Sequence, residues 1–214
     1  MSTPLPERSV LDLVPVLPVV VVDDLAGAVP LARALVRGGL RAIELTLRTG
    51  VALDAIRAIA AEVPEIALGA GTVTTPAQAE AAVAAGATFL VSPGATPDLL
   101  AAMHATGVPF LPGTSTVSEV MAVLESGLGE MKFFPAEAAG GASYLRAVGG
   151  PLPQARFCPT GGITPANAPD YLALANVGCV GGSWITPADA VAAGDWERVT
   201  ALASAAAALR ATAG

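Results

Sequence analysis

Eight short apolar runs recur along the 214-residue chain at intervals of 20 to 25 residues. They begin near Val16 (VLPVVVV), Arg41 (RAIELTL), Ile66 (IALGAG), Thr88 (TFLVS), Val108 (VPFLPG), Glu130 (EMKFFP), Ala155 (ARFCPT) and Val177 (VGCVGG). Between them lie Ala- and Leu-rich stretches with apolar residues at helical spacing, such as AVPLARALVRGG and VALDAIRAIAAEV. Cap-like or proline-at-first-turn signals open TTPAQAE, ATPDLL, TVSEVM, ITPANA and ITPADA. Glycine or proline punctuates most of the ends. A strand that returns parallel to its predecessor needs a crossover, here a helix, so this alternation predicts a parallel sheet. Eight units with strands apolar on both faces predict an α/β chain closed into a (β/α)8 TIM barrel. The expectation is a single barrel domain over residues 1–214 with a short N-terminal helix and no room for a second domain. The structural rival is a doubly wound open sheet, which normally carries a glycine fingerprint after its first strand; VVVVDDLAGA lacks it.

Composition narrows what such a fold could bind. With 53% hydrophobic and 14% charged residues the chain is far from the disordered class. A net charge of -7 and the absence of any Lys/Arg cluster argue against a nucleic-acid binder. An anionic small molecule would need local donors against that weakly repelling field. The segment VPVLPVVVVDD has no basic n-region, is interrupted by Pro15 and Pro18, and ends in two aspartates, so it does not read as a signal peptide. Charge-free stretches are broken by Gly, Pro and Asn, and none reads as a membrane span. Cys158 and Cys179 fall within predicted strands without metal-type spacing, which favours buried reduced thiols. A soluble cytoplasmic protein is expected.

Barrel enzymes carry their chemistry at the C-terminal ends of the strands. Read in order, those ends are Glu44 and Arg48, Gly71-Thr72, Ser92-Pro93-Gly94, Pro112-Gly113-Thr114, Lys132 with Phe134-Pro135, Thr160-Gly161-Gly162, and Gly181-Gly182-Ser183. Lys132 is the only lysine, and it stands in an apolar run. Its stem could pack on apolar neighbours while the ammonium reaches water. Alternatively it is buried, and burial favours the neutral amine that attacks a carbonyl to form a Schiff base. Glu44 could be an ion-pair partner of Arg48, or a general acid/base held in a pocket. Glu44, Thr46 and Arg48 share one parity and would share one face if the strand runs that far.

The paired glycines at 161–162 and 181–182, each followed by a predicted helix, suit an anion cradle of backbone N–H groups, although glycines also make ordinary turns. His104, the only histidine, lies in a predicted helix away from the strand ends and reads as structural. No His/Cys/carboxylate cluster has metal-ligand spacing, and no Ser/His/Asp arrangement can be assembled.

The motifs AIELTLRT, GAGTV, SPG, PGTSTVSE, KFFPAEAAGG, RFCPTGGI and GGSW together resemble those of bacterial 2-keto-3-deoxy-6-phosphogluconate aldolases. That family includes bifunctional enzymes that also cleave 4-hydroxy-2-oxoglutarate. The likeness runs in register from about Pro15 to Trp196. It implies a class I, metal-independent and cofactor-free aldolase of carbohydrate metabolism (the Entner-Doudoroff pathway) on a (β/α)8 barrel, usually a homotrimer. It implies Lys132 as the Schiff-base lysine and Glu44 as general acid/base, with Arg48 and Thr72 holding the pyruvyl carboxylate. Pro93 and Phe134 would line the keto-acid pocket and Thr160 would lie beside the reacting carbons. Gly161, Gly162, Gly182 and Ser183 match the phosphate-binding turns. VVVVDD is more acidic than the family pattern after the first strand.

The activity so implied is reversible cleavage of 2-dehydro-3-deoxy-6-phosphogluconate to pyruvate and D-glyceraldehyde 3-phosphate. The partners are then a small keto acid and an aldehyde phosphate, with no nucleic acid and no membrane. Alternatives are 4-hydroxy-2-oxoglutarate or a galactonate-configured acid as main substrate, and a barrel isomerase or epimerase in which Glu44 abstracts a proton and Lys132 only stabilises charge. A non-enzymatic trimeric scaffold derived from the same fold is the remaining one.

Overall fold

The computed structural model describes residues 9–209. Among these residues nine parallel strands form in chain order: β1 Val16–Val20, β2 Ala42–Thr46, β3 Ala67–Gly71, β4 Phe89–Val91, β5 Phe110–Leu111, β6 Gly113–Thr114, β7 Glu130–Phe133, β8 Arg156–Pro159 and β9 Val180–Gly182. Each of the eight apolar runs contains a strand, and the fifth supplies two. The helices among the described residues are α1 Leu25–Arg37, α2 Ala52–Glu62, α3 Pro76–Ala84, α4 Pro97–Ala105, α5 Val117–Glu125, α6 Gly141–Gly149, α7 Ala168–Leu172, α8 Ala188–Ala193 and α9 Trp196–Ala207.

The strands make two parallel sheets, six strands in the order β5-β4-β3-β2-β1-β9 and three in the order β6-β7-β8. The expected eight-stranded continuity is thus interrupted twice. The first break is Pro112, between β5 and β6: proline has no N–H to give to a ladder, although its carbonyl still accepts from the Lys132 N–H at 2.9 Å. The second lies between β8 and β9, where the isolated bridges Phe157↔Val177 and Thr160↔Gly181 each join one strand to a residue flanking the other. Elsewhere the register is firm. Five residues of β2 pair with five of β3, from Ala42↔Ala67 to Thr46↔Gly71.

Helix starts follow the cap chemistry in three cases. Thr75 and Thr116 form capping boxes with Gln78 and Glu119, and Thr96 accepts from the Leu99 N–H with Pro97 at the first turn. In ITPANA the signal is spent differently. Thr164 and Asn167 bond each other's backbone, a turn forms, and α7 begins only at Ala168. In ITPADA, Pro187 occupies the position before α8, and no side chain caps it. Both helices are short and start well after the glycine pairs, so the expected helix N-termini do not abut those turns.

The expected N-terminal helix is a single 3-10 turn, Val10–Asp12, and residues 1–8 lie outside the described ones. Asp24 explains half of the acidic VVVVDD: its side chain accepts from the Ala26 N–H as the N-cap of α1. Cys158 and Cys179 are buried and form no disulfide; Cys179 stands one residue before β9 rather than within it. Among the described residues no helix is long and apolar enough to cross a membrane.

Candidate active site

All five residues of β2 are buried, so Glu44 enters the interior with them. Lys132 on β7 is only 5% exposed, which overturns the reading of a stem whose ammonium reaches water. Glu44 and Lys132 belong to different sheets, yet Nζ of Lys132 donates to Oε1 of Glu44 at 3.0 Å. The two strands therefore face each other across the interior. Of the two readings of Glu44, the ion pair with Arg48 does not form; the carboxylate is buried against Lys132, the kind of pocket the acid/base reading needs. The reason is that β2 ends at Thr46, and the chain turns before Arg48 can share the Glu44 face.

The carboxylate needs space, and Gly71 supplies it. A Cβ there would lie 2.3 Å from Glu44 Oε1 and 2.5 Å from its Cγ, closer than any real contact. The second oxygen, Oε2 of Glu44, is buried with no hydrogen-bond partner. Such an atom forfeits about 1–3 kcal/mol of hydration, and it is poised to receive a proton donor from a bound molecule or water. Support for Lys132 comes from its neighbours. Thr114 Oγ1 donates to the Lys132 carbonyl at 3.3 Å, and the Phe134 ring centroid lies 5.5 Å from Nζ.

Arg48 is exposed, and its Nε donates to Thr72 Oγ1 at 3.1 Å. Thr72 sits immediately after β3 with φ +57, a left-handed conformation rare for a β-branched residue. Backbone held in that region costs on the order of 1–3 kcal/mol and clusters at functional sites. A guanidinium anchored this way presents a planar fork suited to a carboxylate.

Pro93 follows β4 and is half-buried; its backbone carbonyl packs where a Cβ of residue 113 would be, at 2.3 Å, so Gly113 admits it. Buried Ser92 fixes the same approach by accepting from the Gly113 N–H at 3.3 Å. Thr160, at the end of β8, is buried and bridges to Gly181, whose missing Cβ would lie 2.1 Å from Thr160 Oγ1. Gly161 and Gly162 follow at φ +102 and +79, conformations that only glycine adopts freely. Gly182 ends β9 beneath the Trp184 indole, and Ser183 beyond it is exposed.

Because every strand runs parallel, all these residues lie at or beyond the strands' C-terminal halves, on one end of the sheets. The structure joins Lys132 to Glu44, Arg48 to Thr72, and Thr160 to Gly181. His104 lies apart from them on α4, edge-on to Phe110 with centroids 5.3 Å apart. Sequence reasoning passed over Glu137 and Tyr171, whose side chains bond to each other beside Gly162. The only available signal was a carboxylate close behind the lysine run. Among the described residues, no group of three or more His, Cys, Asp or Glu could hold a metal ion.

Residues 8–202 match the family model described as KDPG and KHG aldolase. The KHG/KDPG aldolase of Escherichia coli K12 is 58% identical over 196 residues, 92% of each chain. Among solved structures, KDPG aldolase from Legionella pneumophila, with pyruvate captured at low pH as a covalent carbinolamine intermediate, superposes with a TM-score of 0.90 at 47% identity. The match covers 92% of this chain and 96% of that one. The 2-keto-3-deoxy-6-phosphogluconate aldolase of Zymomonas mobilis ZM4 with 3-phosphoglycerate gives 0.88 at 47% identity, covering 95% of both chains.

Proposed function

The chain belongs to the KDPG and KHG aldolase family, and from that membership we propose a Schiff-base mechanism carried by its own residues. The substrate is 2-dehydro-3-deoxy-6-phosphogluconate, cleaved reversibly to pyruvate and D-glyceraldehyde 3-phosphate. The observation that carries this reading is the buried Lys132–Glu44 pair with the second Glu44 oxygen open.

Movement of the shared proton from Nζ to Oε1 makes the amine nucleophilic, and Nζ attacks the C2 ketone. The carbinolamine loses its hydroxyl as water, with the proton supplied by Glu44, and becomes a protonated imine. The Glu44 carboxylate then accepts the C4 hydroxyl proton. As the C3–C4 bond breaks, its electrons flow to the imine nitrogen, the aldehyde leaves and an enamine remains. Protonation at C3 and hydrolysis of the imine release pyruvate and restore the amine. The imine is the electron sink throughout, so the route is written without a metal.

Arg48, supported by Thr72, holds the pyruvyl carboxylate, and Pro93, Phe134 and Thr160 line the reacting end. Gly161, Gly162, Gly182 and Ser183 receive the phosphate. The two sheets act as one (β/α)8 barrel and a single domain, joined across Pro112 and the β8–β9 bridges. The enzyme works in the cytoplasm as a homotrimer, which light scattering tests as three times the 21.1 kDa chain.

Borohydride reduction with pyruvate present should add a pyruvate-derived mass to the peptide containing Lys132. An unmodified peptide would overturn the mechanism and return the isomerase reading. The dual name of the Escherichia coli relative favours 4-hydroxy-2-oxoglutarate as a second substrate. Comparison of kcat/KM for the two acids ranks them.

A further inference from the structure

Glu137 lies in the turn between β7 and α6, and its carboxylate accepts a hydrogen bond from the hydroxyl of Tyr171 on α7. Tyr171 is 1% exposed. The backbone of the same turn is tied to the glycine turn after β8: the Ala136 N–H donates to the Thr160 carbonyl at 2.8 Å and the Glu137 N–H to the Gly161 carbonyl at 3.1 Å. The Glu137 stem also lies directly against Gly162, where a Cβ would come within 2.6 Å of Glu137 Cγ. From the other side, Asn167 Nδ2 donates to the Gly162 carbonyl at 3.1 Å.

All three carbonyls of Thr160, Gly161 and Gly162 are thereby occupied by protein donors. A turn binds an anion through its N–H groups, and a carbonyl rotated toward that anion repels it. Holding the carbonyls therefore fixes which edge of the turn meets a ligand. Burial first, and then the Glu137 carboxylate, hold the Tyr171 hydroxyl well above the ordinary tyrosine range, so it stays a donor at working pH. A carboxylate beside an anion site is an electrostatic cost, and only its bond to Tyr171 and its packing on Gly162 account for it there.

We infer that Glu137 and Tyr171 are positioning residues that lock the Thr160–Gly162 turn in its anion-accepting orientation and so set the preference for a substrate phosphorylated at its far end. This rests on the aldolase reading above. The experiment measures kcat and KM for the phosphorylated 2-keto-3-deoxy acid and for unphosphorylated 4-hydroxy-2-oxoglutarate, with borohydride trapping of pyruvate alongside. It compares wild type with Tyr171→Phe, Glu137→Ala and Glu137→Gln.

Tyr171→Phe and Glu137→Ala should lower the ratio of kcat/KM, phosphorylated over unphosphorylated, by about tenfold through loss of a charge-assisted hydrogen bond, mostly in KM. Glu137→Gln keeps an acceptor and removes the repulsion, so it should restore the ratio to within about threefold of wild type. A ratio unchanged in both disrupting variants, even if both activities fall together, overturns the inference. Should Glu137→Ala fail to fold, Tyr171→Phe decides alone, since it removes one oxygen. A wild-type protein that traps no pyruvate refutes the aldolase reading itself, an outcome separate from any variant ratio.

Discussion

Lys132 and Glu44 meet with side chains 6% and 1% exposed, and withdrawing two ions from water costs several kcal/mol each. Their attraction does little more than offset that cost, so the pair adds little net stability. Lys132→Met alone leaves a buried carboxylate uncompensated and should destabilise the fold by about 3–5 kcal/mol. Adding Glu44→Leu, so that both charges give way to apolar side chains, should recover that loss and leave the double variant as stable as wild type or about 1–4 kcal/mol more stable, yet inactive. Urea unfolding of the three proteins reads the order; a double variant weaker than the single would contradict it. Gly71→Ala tests the space beside the carboxylate. The added methyl must displace Glu44, and a shift of about 1 Å at a catalytic group costs on the order of 100-fold in rate. The measurement is kcat/KM, with pyruvate trapping to show whether Lys132 still condenses. Lys132 was legible in the sequence because a lone lysine in an apolar run has few explanations. The role of Gly71 was not: a glycine at a strand end looks the same whether it turns the chain or makes room for a carboxylate from the next strand. The Arg48 alternative for Glu44 fails because parity holds only while the strand lasts.

At the scale of elements, the crossover pattern and the threonine caps were readable because they are local. Cap and capped N–H lie within three residues, and the strand runs carry their own β-rich composition. Locality alone did not suffice. The Thr164–Asn167 bonds are equally local but close a turn, so α7 starts at Ala168, and Pro187 precedes α8 without any side-chain cap. The α5 cap can be tested directly. Thr116→Ala removes the acceptor for the Glu119 N–H and should cost about 1 kcal/mol. Glu119 reciprocates: the Ser115 N–H chiefly, then the Thr116 N–H and both hydroxyls, hold its carboxyl below the ordinary 4.5 against a burial that raises it. A depressed folded value means the stabilisation is present above the unfolded value and is lost as pH falls through the folded one. For this mostly exposed group the screened contribution is about 0.5 kcal/mol. Wild type should therefore exceed Glu119→Gln in stability at neutral pH, and the gap should close as pH falls below about 4.5. A gap independent of pH would show that the carboxylate charge plays no part in the cap.

Across the whole molecule, pairing strength is uneven, and one of the two interruptions coincides with the turns proposed to receive phosphate. β2 and β3 are paired at five positions, whereas β8, β9 and the residues flanking them meet through two isolated bridges. There the Phe157 N–H donates to the Asn176 carbonyl at 2.8 Å and the Gly178 N–H to the Phe157 carbonyl at 3.1 Å. Local opening free energies track how many such bonds must break together. The amides of Phe157 and Gly178 should therefore exchange with solvent at least about tenfold faster than those within β2 and β3. A ligand whose phosphate sits on both the Thr160–Gly162 and Gly181–Ser183 turns would tie the two sides of this seam together. Binding to the closed form alone raises the opening cost by RT ln(1 + [L]/Kd), so a phosphorylated acid at about a hundred times its Kd should slow seam exchange roughly 100-fold. On the proposed mechanism pyruvate is held at Arg48 and Lys132, so it would reach only one side and should slow it far less. Native-state hydrogen exchange followed by NMR separates these cases. Equal protection of the seam and of β2–β3 in the free protein would show that the two bridges close the interior as firmly as a full ladder, and equal slowing by the two ligands would remove the phosphate from those turns.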